Sequence, residues 1–308
     1  MKTFPLISVV VVTYNSAKYV IETLTSILNQ TYKGPIELLI SDDGSKDNTV
    51  ETCRNWLDLY GNSFSSTGIL VTPKNLGICG NYNYALEHVS GEWIKYIAGD
   101  DILEPECIET YVNAALSSSD KFFISGVNCF ENESSIITPR FLMEDHLDSE
   151  QASVQAECLA KYAGGGIVEG PTFFINVSFL KAMGGMNTYY PMLEDFPFAF
   201  KCAYLGYHIG VIKKPLVRYR IYPESISQSK EIFKVMYHDA IYDARMKIAM
   251  RKHRYLEAWH HFIMKRIAGY SSIKGNGKIV SFILKASDIY ADITKLKNFF
   301  NDHKCKMQ

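Results

Sequence analysis

Ile7-Ser8-Val9-Val10-Val11-Val12 runs into Thr13-Tyr14-Asn15, an apolar stretch closed by a polar cluster, and the arrangement recurs three times before Ile102. Ile36 to Ile40 leads into Asp42-Asp43-Gly44-Ser45, Ile69 to Val71 into Pro73-Lys74-Asn75, and Trp93 to Ile97 into Gly99-Asp100-Asp101. The first run has no polar alternation beyond Ser8, the pattern of a strand covered on both faces. Helical periods fill the gaps. Val20, Ile21, Leu24, Ile27 and Leu28 form one stripe, with Ser16 placed to cap it. Asp47 and Thr49 open a second helix through Val50, Cys53, Trp56 and Leu57, and Gly77 opens a third towards Val89. Strands alternating with helices predict a parallel sheet with right-handed crossovers. Ligands of such sheets bind outside the carboxyl ends of the strands, so the four polar clusters should converge on one site.

The 308 residues suffice for a full α/β core and a modest appendage. Near-balanced charge and a 47% apolar composition exclude a disordered chain and argue against a nucleic-acid partner. The balance conceals an asymmetry: from Lys230 on, 16 Lys and Arg stand against 7 Asp and Glu, so a basic tail follows a net acidic body. Such a tail suits an anionic surface or partner. Seven cysteines without a Cys-x-x-Cys pair point away from a disulfide framework and towards a reduced compartment. No stretch approaches the roughly 20 apolar residues that span a bilayer, so the expected location is cytoplasmic, with peripheral contact at the inner face of the membrane.

Further along, Ile102 to Leu116 reads as a helix with Pro105 near its start, and Phe122 to Ile124 and Ile136-Ile137 as short strands. Arg140 to Gln155 is acidic and aperiodic, and with Gly164-Gly165-Gly166 it is a candidate mobile loop beside the crevice. Thr172 to Ile175 reads as a strand and Phe179 to Met183 as a helix. Glu194-Asp195 opens a helix from Phe196 to Leu205, and Val211-Ile212 and Leu216 to Ile221 read as a closing pair of strands. Three helical segments follow: Phe233 to Lys252, Tyr255 to Tyr270 and Lys278 to Phe300. The expected division is a domain of residues 1–228 and a basic helical extension of residues 229–308.

Ser8 to Asn15, Ile40 to Thr49, Asn75-Leu76-Gly77, Gly99-Asp100-Asp101 and Glu194-Asp195, taken together and in this order, resemble family 2 of the inverting glycosyltransferases. The likeness covers roughly residues 5 to 225 and implies the GT-A (nucleotide-diphospho-sugar transferase) fold, a mostly parallel sheet flanked by helices. It implies a nucleotide-sugar donor, UDP-sugar above all, held by the first half and an acceptor hydroxyl held by the second. By the resemblance, Thr13, Tyr14 and Asn15 lie against the base and ribose, and Asp43 hydrogen-bonds the nucleoside. Asn75, Gly77 and Gly99 belong to the donor side. The residue chemistry is compatible, since a carboxylate accepts from an imide N–H or a ribose hydroxyl and Tyr14 offers an aromatic wall. The same residue types also make turns and helix caps.

The family's Asp-x-Asp would put its first aspartate at Ala98. Asp100 is therefore the expected ligand of a divalent metal, Mg2+ or Mn2+, with Asp101 beside it; hard oxygens suit both ions. Asp195, with Glu194, matches the family's general base. The basic residue expected along the third helix is Tyr82 here. Arg218, Arg220 and Tyr222 fall where relatives carry Arg-x-His, so Arg220 is a candidate for the diphosphate, while Tyr222 is no histidine ligand. Relatives of this kind make surface polysaccharide or lipid-linked glycan, which sets the expected acceptor class. A non-catalytic nucleotide-sugar-binding module and a nucleotidyltransferase of related fold are the alternatives. The second lacks its glycine-rich basic loop after the first strand.

Overall fold

A computed structural model describes residues 4–131, 138–140, 147–162, 168–222 and 231–271. The chain divides into two compact units, Met1–Phe233 and Lys234–Gln308.

The first unit is built on strands β1 (Ile7–Thr13), β2 (Ile36–Asp42), β3 (Ser66–Val71) and β4 (Trp93–Ala98), all mutually parallel. β1 lies between β2 and β4, and its Ile7, Val9, Val10 and Val11 are fully buried, as its unbroken apolar run requires. Thr13 pairs with Asp42, Asp42 with Val71, and Val12 with Ala98, so the polar clusters do leave the sheet along one edge. The connecting helices are α1 (Val20–Leu28), α2 (Thr49–Tyr60) and α3 (Gly77–Leu86). Val20, Leu24 and Ile27 carry the buried stripe of α1.

Ser16 does not cap α1 with its side chain. Its carbonyl accepts from the Tyr19 and Val20 amides, while its Oγ accepts from Tyr14 N at 3.3 Å. The chain first turns through Asn15, whose φ of 55° is in the left-handed region, and the helix starts four residues after Ser16. Asp47 fills its expected role, accepting from the Thr49 amide at 3.0 Å.

After β4 the chain forms β5 (Ile102–Leu103) before helix α4 (Cys107–Ser117). The helix expected from Ile102 therefore begins later. Ile102 and Leu103 instead pair antiparallel with Arg218 and Val217, a remote partner that no local period reveals. β6 (Phe122–Phe130), β7 (Thr138–Arg140), α5 (Ala152–Tyr162), a 3-10 turn at Gly170–Thr172, β8 (Phe174–Asn176), α6 (Val177–Ala182), α7 (Phe196–Tyr204) and β9 (Gly210–Arg220) complete the unit. The sheet order is β3-β2-β1-β4-β8-β6-β9-β5, with β7 on β6. Thr172 thus lies in a turn rather than a strand.

The two closing strands are one. β9 runs beside β6 with register shifts around Gly126, where Pro215 sits opposite. Proline has no amide to give the ladder, so a bulge lets one strand pass it. Part of the acidic stretch before Gln155 belongs to α5. Residues 141–146, Ile136-Ile137 and Gly164-Gly165-Gly166 lie outside the described residues. Under the sheet, Trp93, Phe174 and Tyr111 stack in series with centroids 5.0 and 4.9 Å apart.

The second unit contains most of α8 (Glu231–Arg251) and all of α9 (Tyr255–Ser271), tied by Lys265 to Asp243 at 2.7 Å. The segment Lys278 to Phe300 lies outside the described residues. No described helix is long and apolar enough to cross a membrane.

Gly184 and Gly185 both have positive φ, 78° and 69°. A Cβ at Gly184 meets nothing, whereas one at Gly185 collides with Asn83 Oδ1, which holds the Met186 amide at 2.7 Å. Gly184→Ala should cost about 1–2 kcal/mol from the left-handed backbone alone. Gly185→Ala should cost at least about 1 kcal/mol more, through loss of the Asn83 clip. Urea unfolding of the two variants compares them directly.

Candidate active site

A cleft of about 510 Å3 opens at the carboxyl edge of β1, β2 and β4. Its first wall is the β1 loop. Thr13 is buried and donates to Asp42 Oδ2 at 2.9 Å, while Asp42 Oδ1 accepts from the Gly44 and Ser45 amides at 3.1 and 2.8 Å. Asn15 reaches across to the same turn, accepting from Lys46 N and donating its own amide to Ser45 Oγ, both at 2.8 Å. These bonds leave the Tyr14 ring 48% exposed on the cleft wall.

Asp43 also lines the cleft, and its carboxylate organises a neighbouring loop. It accepts from Thr72 Oγ1 at 2.9 Å and from the Leu76 and Gly77 amides at 2.8 and 2.9 Å. Gly77 takes a φ of 75° to present that amide, and Asn75 Oδ1 accepts from it as well at 3.2 Å. Asn75 and Gly77 thus stand behind Asp43 and do not line the cleft.

The floor carries the acidic pair. Gly99 fits where any Cβ would press against Thr13 and Ser16, and its amide donates to Val12 O at 2.9 Å. Asp100 Oδ2 accepts from the Tyr222 hydroxyl at 2.8 Å. Asp101 is 1% exposed: its Oδ1 accepts from the Arg220 amide at 2.9 Å, and its Oδ2 has no hydrogen-bond partner. Burial raises both carboxyl pKa values, and the Asp100 charge raises that of Asp101 further.

Arg220 is 3% exposed and pairs with Glu22, which is 33% exposed. Its guanidinium lies between the rings of Tyr19 and Phe130, 4.2 and 4.4 Å from their centroids. It donates to Glu22 Oε2 at 2.6 Å and to Asp100 O at 2.9 Å. Arg220 borders the cleft while bracing the backbone of the acidic pair.

Glu194 and Asp195 form the opposite wall. Asp195 is the N-cap of α7 and accepts from Phe196 N at 2.6 Å. Burial lifts Asp195 to about 6 and Glu194 to about 8, the latter also through the charge on Asp195. Glu194 therefore holds its proton to higher pH than Asp195. Glu169, Gly170 and Pro171 complete this wall. Neither they nor Tyr19 carried a motif, and Tyr222 announced itself only by its two-residue spacing from Arg220. The six described cysteines are buried and form no disulfide, and the described residues contain no cluster of three or more acidic, cysteine or histidine side chains arranged for a metal.

Residues 8–160 match the model of glycosyl transferase family 2. This domain belongs to that family. Among curated relatives, an uncharacterized glycosyltransferase of Rickettsia felis is 30% identical over 201 residues, 64% of this chain but 31% of that protein. Putative glycosyltransferase EpsH of Bacillus subtilis is 25% identical over 74% of this chain and 65% of its own length. The chain thus spans about a third of the first of these. In fold, it matches S. aureus TarS residues 1–349 in complex with UDP-GlcNAc at a TM-score of 0.62 and 18% identity, over 88% of this chain and 77% of that one. It matches a mannosyltransferase of Pyrobaculum calidifontis, solved with GDP-Man and Mn2+, at 0.53 and 18%, over 94% and 81%. The family 2 domain therefore has the GT-A fold.

The two wall acids can be titrated separately. Carbon-detected NMR should give Asp195 a midpoint close to 6 with Glu194 titrating above it. Asp195→Asn removes a negative neighbour, so the Glu194 midpoint should fall. A Glu194 midpoint that stays in place means that the two groups are not coupled.

Proposed function

We propose that the chain is an inverting glycosyltransferase moving one sugar from a nucleoside diphosphate, UDP first, to an acceptor hydroxyl. One observation carries the reading: a family 2 domain brings Tyr14 and Asp43, the Asp100-Asp101 pair and the Glu194-Asp195 pair to a single cleft. Structures of the same fold with UDP, UDP-GlcNAc and GDP-Man support a nucleotide sugar as ligand.

In this reading Tyr14 and Asp43 hold the nucleoside, with lone pairs of Asp43 beyond its loop contacts available to it. Asp195 accepts the acceptor's hydroxyl proton as that oxygen attacks the anomeric carbon. The bond from that carbon to the diphosphate oxygen breaks on the opposite face, giving inversion and UDP. Glu194, kept neutral, donates a hydrogen bond to the acceptor instead of competing for its proton. Arg220 holds the floor through the Asp100 carbonyl.

The residues present fit a divalent cation. Asp100 supplies a hard oxygen donor, and the orphaned Asp101 Oδ2 is a buried acceptor with no hydrogen-bond partner. Asp100 and Asp101 would hold Mg2+ or Mn2+, which when bound neutralises the departing diphosphate. The site residues here supply few ligands of their own, so the ion would also need oxygens from outside the protein. A cation would also relieve the desolvated charge on Asp101.

The acceptor we infer is a glycan or lipid-linked chain, reached from the membrane's inner face. Residues 1–228 then form the catalytic part and 229–308 an attachment part. Met250, Tyr255, Leu256 and Trp259, each half or more exposed, are interspersed with Arg251, Lys252 and Arg254, a composition suited to an anionic interface. The second reading, a binding module without turnover, draws on Ala98 and on the hydrogen bond that occupies Asp100 Oδ2.

Three outcomes are expected. Asp195→Asn lowers turnover by about 10²–10⁴-fold with donor affinity retained, and wild-type activity falls away as pH drops below about 6, where the base is protonated. Near-normal transfer by this variant shifts the base to Glu194, while a wild type inert towards a panel of nucleotide sugars establishes the binding module. Asp100→Asn abolishes metal-dependent enhancement of UDP binding in calorimetry; unchanged enhancement removes Asp100 as ligand. Co-sedimentation is stronger with phosphatidylserine vesicles than with neutral ones and weakens with salt. Equal binding to both removes the electrostatic attachment.

A further inference from the structure

Lys95 is a charged side chain that the mechanism above does not use, and it is fully buried in β4, five residues before Asp100. Burying an ammonium is costly unless its donors are satisfied. Its Nζ donates to Tyr96 O at 2.9 Å and to Pro171 O. It lies 5.8 Å from the Tyr111 ring centroid, and the Tyr111 hydroxyl donates to Thr172 O. Two buried donors, one from the sheet and one from α4, thus grip consecutive carbonyls of a single turn.

That turn borders the cleft. Glu169, Gly170 and Pro171 line it, and Gly170 is so close to Glu194 that a Cβ there would collide with Oε1. The turn is closed by the Thr172 and Phe173 amides donating to Glu169 O and Gly170 O at 2.9 and 3.0 Å. The strand that delivers Asp100 and Asp101 is therefore connected through Lys95 to the wall beside Glu194 and Asp195. A core filler would leave this connection unexplained, since a methionine occupies a similar volume without the desolvation cost.

We propose that Lys95 and Tyr111 are positioning residues for the transfer reaction, holding the Glu169-Gly170-Pro171 wall against Glu194. The role rests on the reading of the cleft as a transferase site. It predicts a defect in turnover with the nucleoside contacts untouched, because Tyr14 and Asp43 follow other strands, β1 and β2.

The test uses Lys95→Met and Tyr111→Phe in the full chain, with hydrogen exchange, kinetics and thermal melting. For Lys95→Met, the Thr172 and Phe173 amides should exchange about 10-fold faster or more. Turnover should fall by a similar factor, with donor KM within about 3-fold and a single cooperative melting transition retained. Tyr111→Phe should move the same two readouts in the same direction, and the double variant should be non-additive, as for two grips on one turn. Unchanged exchange overturns the grip. Unchanged turnover, or a loss confined to donor KM, overturns the positioning role. If Lys95→Met fails to fold, Tyr111→Phe decides by the same criteria. A wild type that transfers no sugar removes the transferase reading and the positioning role with it, while exchange still reports on the grip.

Discussion

The in-register pairing of β1 with β2 and β4 is the constraint on which the rest of the cleft depends. Because side chains alternate with a period of two, a one-residue slip would send the strand-end residues to opposite faces. The observed register sets Thr13 against Asp42 and Val12 against Ala98, so the loops that follow start from a common line. Each loop is then fastened to its neighbour: Asn15 to Ser45 and Lys46, and Asp43 to Leu76 and Gly77. These are carboxylate, amide and hydroxyl contacts to backbone, which spend the polar groups on preorganisation and leave Tyr14 on the cleft surface.

The cleft concentrates negative charge. Asp100, Asp101, Glu169, Glu194 and Asp195 all border it, and burial raises the pKa of both acidic pairs. Two buried cations oppose this charge from below. Arg220 acts through its backbone amide on Asp101 and through its guanidinium on the Asp100 carbonyl, while the Lys95 charge favours ionised Asp101. Neither forms a side-chain salt bridge with the floor aspartates. On the Glu194-Asp195 wall burial raises both groups, and the charge on Asp195 raises Glu194 further.

The sequence by itself determined the parallel α/β class, the four strand-end clusters and the residues that reach the cleft from them. Unbroken apolar runs, helical stripes and small polar turn residues are local properties, and local periodicity reads them. Thr13, Tyr14, Asp43 and Asp100 were legible for that reason, whereas Glu194 and Asp195 stood out through the resemblance to the family. Tertiary structure alone decided the rest, because its causes lie between distant segments. Ile102 and Leu103 leave the helical pattern to pair with β9, and Pro215 sits in a bulge of one strand where a break was expected. Asn75 and Gly77 support Asp43 from behind, and Arg220 is sunk between two rings, paired with the partly exposed Glu22. The hydrogen bond from Tyr222 to Asp100 and the burial of Lys95 under the Pro171 carbonyl depend on contacts across 122 and 76 residues of chain. No period or motif encodes such contacts, since they arise only when the sheet has closed and each buried polar group has found its partner.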